Sequence, residues 1–246
     1  MDTALATPRI AANPPAWASP RRKGRVLAAL FLFVIVCGIG AQACIADRLV
    51  AYDDAGRTAA QITANPDLYR LAFAIFLVEM AAQMSVTVLF YELLKPAQAS
   101  LARLSVVMGL IGASIKTFSR LFFYVPLLVL GGAGYLSAII RAQLAALTLF
   151  AVKLCNQGAA IALVFFGLEG VLHGWLIWRL GFMPRLLGVL AVLGGLGWLS
   201  FLWPPLWARA FMLMALFAIV SSFITCGWLL VRGIDGQQWR QRTAAQ

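Results

Sequence analysis

Charge is scarce in this chain. Only 12% of its residues are Asp, Glu, Lys or Arg, against about 25% in a soluble domain. Nine acids and a single histidine leave few groups for acid–base or metal chemistry. One histidine cannot supply bis-histidine haem ligation, and a metal site takes about three or four ligands. No metal is expected. The four cysteines, Cys37, Cys44, Cys155 and Cys226, show no CxxC spacing. That argues against a zinc or redox pair and for small buried hydrophobes. Walker A, GxSxG, HExxH and dinucleotide-fingerprint motifs are missing, so nothing here marks a nucleotide, hydrolase or zinc-protease site. No cofactor is expected, and no polar segment is long enough to house a catalytic domain.

What the chain does have is apolar surface. Of its 246 residues 62% are hydrophobic, and the mean hydropathy is +0.87. A soluble chain carries roughly 45–50% apolar residues, so the lipid bilayer is the expected partner and solvent. The formal net charge of +11 would suggest nucleic acid in a soluble protein. Here the basic residues flank apolar runs, as the positive-inside rule predicts. No nucleic acid is expected.

Spanning a bilayer takes about 20 mostly apolar residues. Six runs qualify: Val26–Ala46, Leu71–Leu94, Leu104–Leu130, Gln157–Trp178, Leu186–Trp203 and Ala208–Val231. A further apolar stretch, Ser137–Val152, is interrupted by Arg141 and Gln143 and closed by Lys153. Charge decides the count. With six spans and the N-terminus inside, twelve basic residues lie on the cytoplasmic side. Six basic residues and four aspartates lie outside. A seventh span would move Arg179 and Arg185 outward, so Ser137–Val152 is expected as an amphipathic or re-entrant helix on the outer face.

The expected fold is all-α, a polytopic transmembrane helix bundle. Residues 26–231 form it, between a disordered basic tail at 1–25 and a short basic tail at 232–246. The location implied is the cytoplasmic (inner) membrane, multi-pass, with both termini cytoplasmic. Trp175, Trp178, Trp203, Trp207 and Trp228 fall near span ends as interfacial anchors. Gly181 and Pro184 suit the end of one helix and the first turn of the next. Ala41-Gln42-Ala43 before Cys44 imitates a signal-cleavage site, but the apolar run ahead of it is long for a signal peptide, and an uncleaved anchor is expected.

Five ionisable groups fall inside spans, where each costs about 2.5–3.5 kcal/mol on insertion scales. They are Glu79, Lys116, Arg120, Glu169 and His173. At 1.5 Å per residue, measured from the outer ends, Glu79 and Arg120 lie about 12 and 15 Å deep. On the same scale Glu169 and Lys116 lie about 18 and 21 Å deep. Matched depth pairs Glu79 with Arg120 and Glu169 with Lys116, leaving His173 without a partner.

Helical faces support an inward orientation. Glu79, Gln83 and Thr87 make one stripe, while Ser105, Gly109, Gly112, Lys116, Ser119 and Arg120 share another face. Glu169 and His173 stack one turn apart. Glycines at 167, 170 and 174 and at 188, 194, 195 and 197 permit close helix approach. The candidate site is therefore a polar centre of Glu79, Gln83, Lys116, Arg120, Glu169 and His173, between the second, third and fourth spans.

Several stretches resemble a bacterial family of polytopic membrane proteins known as domain of unknown function four-three-eight-six. The resemblance lies in the first span with Asp47-Arg48-Leu49-Val50, in Ala59–Leu71 (AAQITANPDLYRL), and in Tyr91–Pro96 (YELLKP) with Leu101–Leu104. Its most specific part is Val164–Leu196 (VFFGLEGVLHGWLIWRLGFMPRLLGVLAVLGGL). It implies a compact multi-helix membrane protein and no activity. Where the family's pattern commonly carries an acid and a histidine, this chain has Gln83 and Asn156, so no functional residue carries over.

Three functions remain open at this point. The first in order is a non-catalytic accessory or sensor-type bundle whose charges only organise packing. The second is a small-solute or ion-coupled transporter using the polar centre. The third is an intramembrane enzyme on a lipid or isoprenoid, with Glu169 or Glu79 as acid and His173 as base. The small-molecule ligand and any homo-oligomer stay unassigned.

Overall fold

The computed structural model describes residues 19–132, 134–181, 183–234, 239 and 241. Six long apolar helices dominate it, and the described residues contain no strand. This is a multi-pass membrane protein. Most of the tails expected at residues 1–25 and 232–246 falls outside the described residues, as does the side chain of Trp207. Residues 20–25, expected within the N-terminal tail, are instead the first turns of a helix.

Helix α1 spans Pro20–Ile39 and continues through a π-helical segment, Gly40–Ala46, into a last turn at Asp47–Leu49. Pro20 occupies its first turn, where a missing N–H costs nothing, and Ser19 caps it by accepting from the Arg22 N–H. A short helix α2, Ala55–Ala64, follows, capped by Asp54, which accepts from Arg57 N at 2.9 Å. The intervening loop is pinned by Thr58, whose hydroxyl donates to Ala51 O (2.8 Å) and accepts from Ala51 N (2.9 Å). Then come α3 (Pro66–Leu94), α4 (Ala99–Val129), α5 (Arg141–Leu180), α6 (Arg185–Leu199) and α7 (Pro204–Val231).

The long helices pack in a ring in chain order, α1 against α3, then α4, α5, α6 and α7, with α7 returning to α1. Where the ring closes, Ile234 packs on Gly24 and Gly233 on Arg21, so the start of α1 and the end of α7 share one end of the bundle. At that end an apolar cluster gathers Leu27, Leu93, Leu176, Leu229 and Ile234. A second cluster at the α2 end gathers Ile45, Ile62, Tyr69, Phe76 and Phe123. Leu104, Val107, Ile111 and Phe118 of α4 are exposed, while Ser105, Gly109, Gly112, Ser119 and Arg120 are buried. In lipid, that inversion of the soluble pattern is the low-energy one.

One expectation is corrected. Ser137–Val152 is not a separate amphipathic or re-entrant helix. From Arg141 onward it is the beginning of α5, which runs unbroken for 40 residues. At 1.5 Å per residue that is about 60 Å, twice the roughly 30 Å of hydrocarbon a span needs to cross. Arg141, Gln143 and Lys153 are exposed, and a helix whose charged groups point outward has no reason to stop at them. Its N-terminal part is braced by α2, where Ile62 joins the cluster that holds Leu149 and Val152. Pro126 sits inside α4 within its last turn. The Tyr69 hydroxyl donates to Phe123 O at 2.8 Å, next to the Phe122 carbonyl from which Pro126, having no N–H, withholds the usual helical donor.

Gly181 adopts φ 74° and ends α5 in the left-handed cap that glycine favours. Pro184 stands one residue before the first turn of α6, at its N-cap. Trp175, Trp178 and Trp203 are exposed, and the Arg179 and Arg185 guanidinium groups lie 5.4 and 5.9 Å from the first two rings. Trp228 instead packs against the apolar cluster at its end of the bundle.

Candidate functional site

Between the two apolar clusters lies a polar layer organised by α3. Its four-residue repeat turns Glu79, Gln83 and Thr87 to one side. Glu79 is buried and accepts from the Lys116 ammonium at 2.8 Å. The same Glu79 oxygen lies against Gly38 of α1. One level along, Thr87 is fully buried beside Glu169. Next, the Phe90 ring stacks on the His173 imidazole, with centroids 4.5 Å apart.

The expected pairings are overturned. Glu79 pairs with Lys116, not Arg120, and Glu169 lies next to His173, not Lys116. Helix register explains both. Counted from the tight loop joining α3 and α4, Glu79 and Lys116 differ by about 3 Å of rise, whereas Glu79 and Arg120 differ by about 9 Å. Between α4 and α5, Ser119 faces Gly158, Gly112 faces Ala162 and Phe166, and Gly109 faces Glu169. Glu169 therefore sits about two turns away from Lys116. His173 Nε2 stands 3.8 Å from Glu169 Oε1 and makes no hydrogen bond.

Arg120 leaves the group. Its guanidinium lies 3.7 Å from the centre of the Phe76 ring and donates to Cys155 Sγ at 3.6 Å. No carboxylate pairs with it among the described residues, and the stacked ring supplies part of the electrostatic compensation.

The other five predicted residues come together. Glu79, Gln83, Lys116, Glu169 and His173 all line one cavity of about 350 Å³. The centre was expected between the second, third and fourth spans alone. All six long helices contribute, because the ring places α1, α6 and α7 opposite them. Phe31 and Ile35 come from α1, Trp198 from α6, and Ser221, Ser222 and Thr225 from α7. The last three had a readable signal, a polar patch on one face of an otherwise apolar span.

The model of the family described as "Domain of unknown function (DUF4386)" matches residues 26–233. The chain belongs to this family. The matched stretch takes in every residue named around the cavity. No curated protein and no solved structure matches the chain.

Two further features escaped the sequence. Glu92 of the YELLKP stretch receives Lys23 at 3.3 Å and Lys95 at 3.2 Å, tying the start of α1 to the α3–α4 loop. Asn156 donates to the Tyr52 hydroxyl at 3.2 Å, joining α5 to the loop before α2, well away from the cavity. Among the described residues no three His, Cys, Asp or Glu side chains cluster as a metal site would require.

Proposed function

We propose that this protein is a small-solute carrier of the bacterial cytoplasmic (inner) membrane, holding its ligand in the central cavity. The observation that carries this reading is the cavity itself, about 350 Å³ of space where a purely structural ion-pair seam would be packed shut. Ligand sites run from about 300 to 1,000 Å³, mostly apolar with a few converging polar groups. This one joins two carboxylates, an ammonium, an imidazole and an amide to walls of Phe, Ile, Leu and Trp. A seam of closely packed charges would have favoured the accessory or sensor bundle.

The orientation proposed is cytoplasmic for both termini. Arg21, Arg22, Lys23, Arg25, Lys95, Arg103, Arg179, Arg185 and Arg232 gather at the end where α1 begins and α7 finishes. The opposite end mixes basic residues with Asp47, Asp53, Asp54 and Asp67. That asymmetry supports the assignment.

The test is uptake. Proteoliposomes of the full chain are offered a panel of small lipophilic solutes of every charge class, with Leu163→Trp filling the cavity from one wall. Saturable uptake of any class that disappears in Leu163→Trp supports the carrier. Uptake indistinguishable from protein-free vesicles for every class sinks it.

A further inference from the structure

We infer that the cavity takes a small organic cation, an ammonium group borne on an apolar or aromatic body. This rests on the carrier reading above and narrows it to one class of ligand.

Charge is the first argument. Glu169 is 5% exposed and lines the cavity, and among the described residues no lysine or arginine lies within ion-pairing distance of it. Lys116 is already engaged by Glu79 at 2.8 Å. Arg120 is stacked on Phe76 outside the cavity. His173 is the one basic group beside Glu169, and at 3.8 Å without a hydrogen bond it does not close the pair. With the imidazole neutral, the cavity holds two carboxyl groups against one ammonium, and Glu169 has no cation to complete it until a ligand brings one.

Hydrogen-bonding capacity points the same way. The Ser222 hydroxyl donates to Ala218 O at 2.8 Å and the Thr225 hydroxyl to Ser221 O at 2.9 Å. Both protons are taken up by the backbone, so these side chains offer only acceptor lone pairs to a ligand. The second oxygen of Glu79, Oε2, is buried with no partner. A bare acceptor in such a place is unfavourable until a donor arrives. A ligand head rich in N–H or positive charge meets these groups, and an anionic head does not.

The walls supply the third argument. Phe31, Phe90, Phe166 and Trp198 line the cavity, with Phe31 and Phe90 edge to face at 5.9 Å. Aromatic faces attract a cation most strongly where water is excluded. At about 350 Å³ the space exceeds twice the roughly 150 Å³ that accepts benzene, enough for one ring with a substituted ammonium.

The experiment uses the full chain in lipid nanodiscs at about pH 8, where a free imidazole is neutral. Three probes are compared after subtracting empty nanodiscs: benzyltrimethylammonium, its neutral carbon isostere neopentylbenzene, and benzylsulfonate. The ammonium is expected to bind saturably and about tenfold more tightly than the isostere, with no saturable binding of the sulfonate. Glu169→Gln is expected to weaken the ammonium about tenfold and leave the isostere unchanged. Should that variant not fold, Phe166→Leu is expected to weaken the ammonium alone, by about threefold. The cation assignment is overturned, and the carrier reading left standing, if the isostere or the sulfonate binds as tightly as the ammonium. Absence of saturable binding by all three overturns both.

Discussion

Gly109 of α4 lies directly against the Glu169 carboxylate of α5, in a space that a Cβ would have to share with both oxygens. The contact leaves the Glu169 carboxylate no room on its α4 side, while the same residue borders the cavity. Gly109→Ala forces the flexible end of the Glu169 side chain to shift toward the cavity, a change expected to cost about 1 kcal/mol. Thermal melting of the purified protein in detergent reads the loss. A variant as stable as the parent would mean the carboxylate is free to sit elsewhere.

The Glu79–Lys116 contact is the only lysine–carboxylate pair among the described residues in which the acid is fully enclosed. Removing one partner strands the other in a low-dielectric interior. Glu79→Gln or Lys116→Met alone is therefore expected to cost about 3 kcal/mol. The double replacement is expected to recover most of that, because neither group then carries the far larger desolvation penalty of a charge. Denaturant melts of the four proteins complete the cycle. Strictly additive losses would show that the two side chains do not pair.

The α5–α6 seam is sterically closed. Gly174 is pressed onto the Gly188 carbonyl, and Gly167 has the Gly195 carbonyl 2.8 Å from where a Cβ would stand. Backbone atoms cannot rotate away as a side chain can. Gly174→Leu is expected to abolish monodisperse protein in size-exclusion chromatography, whereas Gly227→Leu, with open space around it, is expected to be tolerated. Equal behaviour of the two would contradict the close approach.

Tyr52 stands outside the spans and keeps 37% of its surface exposed, yet burial of the remainder pushes its phenol above the ordinary tyrosine value. The Asn156 amide, donating to its oxygen, works in the opposite direction and does not cancel the shift. A group whose folded value is raised stabilises the fold below its unfolded pKa, and that contribution fades as pH rises through the folded one. Stability should therefore fall above about pH 10, more steeply in the parent than in Tyr52→Phe. Ultraviolet titration of the phenolate checks it directly, and a Tyr52 titrating at or below the free value would refute the burial.

Much of the architecture follows from local pattern. Run length located six crossings, because about 20 apolar residues in a row have few other stable fates. The polar face of α4 was readable from Ser105 to Arg120, since helical periodicity places those residues together whatever surrounds them. The glycines at 167, 170, 174, 188 and 195 announced a close seam, and α5 and α6 use all five in it. Gly194 and Gly197 serve the neighbouring contact instead, facing Ala218 and Met214 of α7.

Other features resisted the same reasoning. Charge within 137–152 suggested a separate surface helix, but exposed charges interrupt hydropathy without interrupting backbone hydrogen bonds. Depth along each helix does not fix the ion pairs, because the sequence does not mark where each span begins. The tight α3–α4 loop sets that register. Arg120 shares a helical face with Lys116 but not its surroundings. One turn further along, it meets Phe76 and Cys155 instead.

Composition and periodicity alone determined that this polypeptide lives in lipid, that it crosses six times, and which sides of α3, α4 and α5 face inward. These are properties of consecutive residues, so no distant contact is needed to specify them. Only the closed ring decided which acid meets which base, that α1, α6 and α7 complete the chamber, and that the chamber is hollow. Partners from helices far apart in the chain depend on how those helices slide past one another, and a linear pattern of apolar and polar residues does not encode that offset.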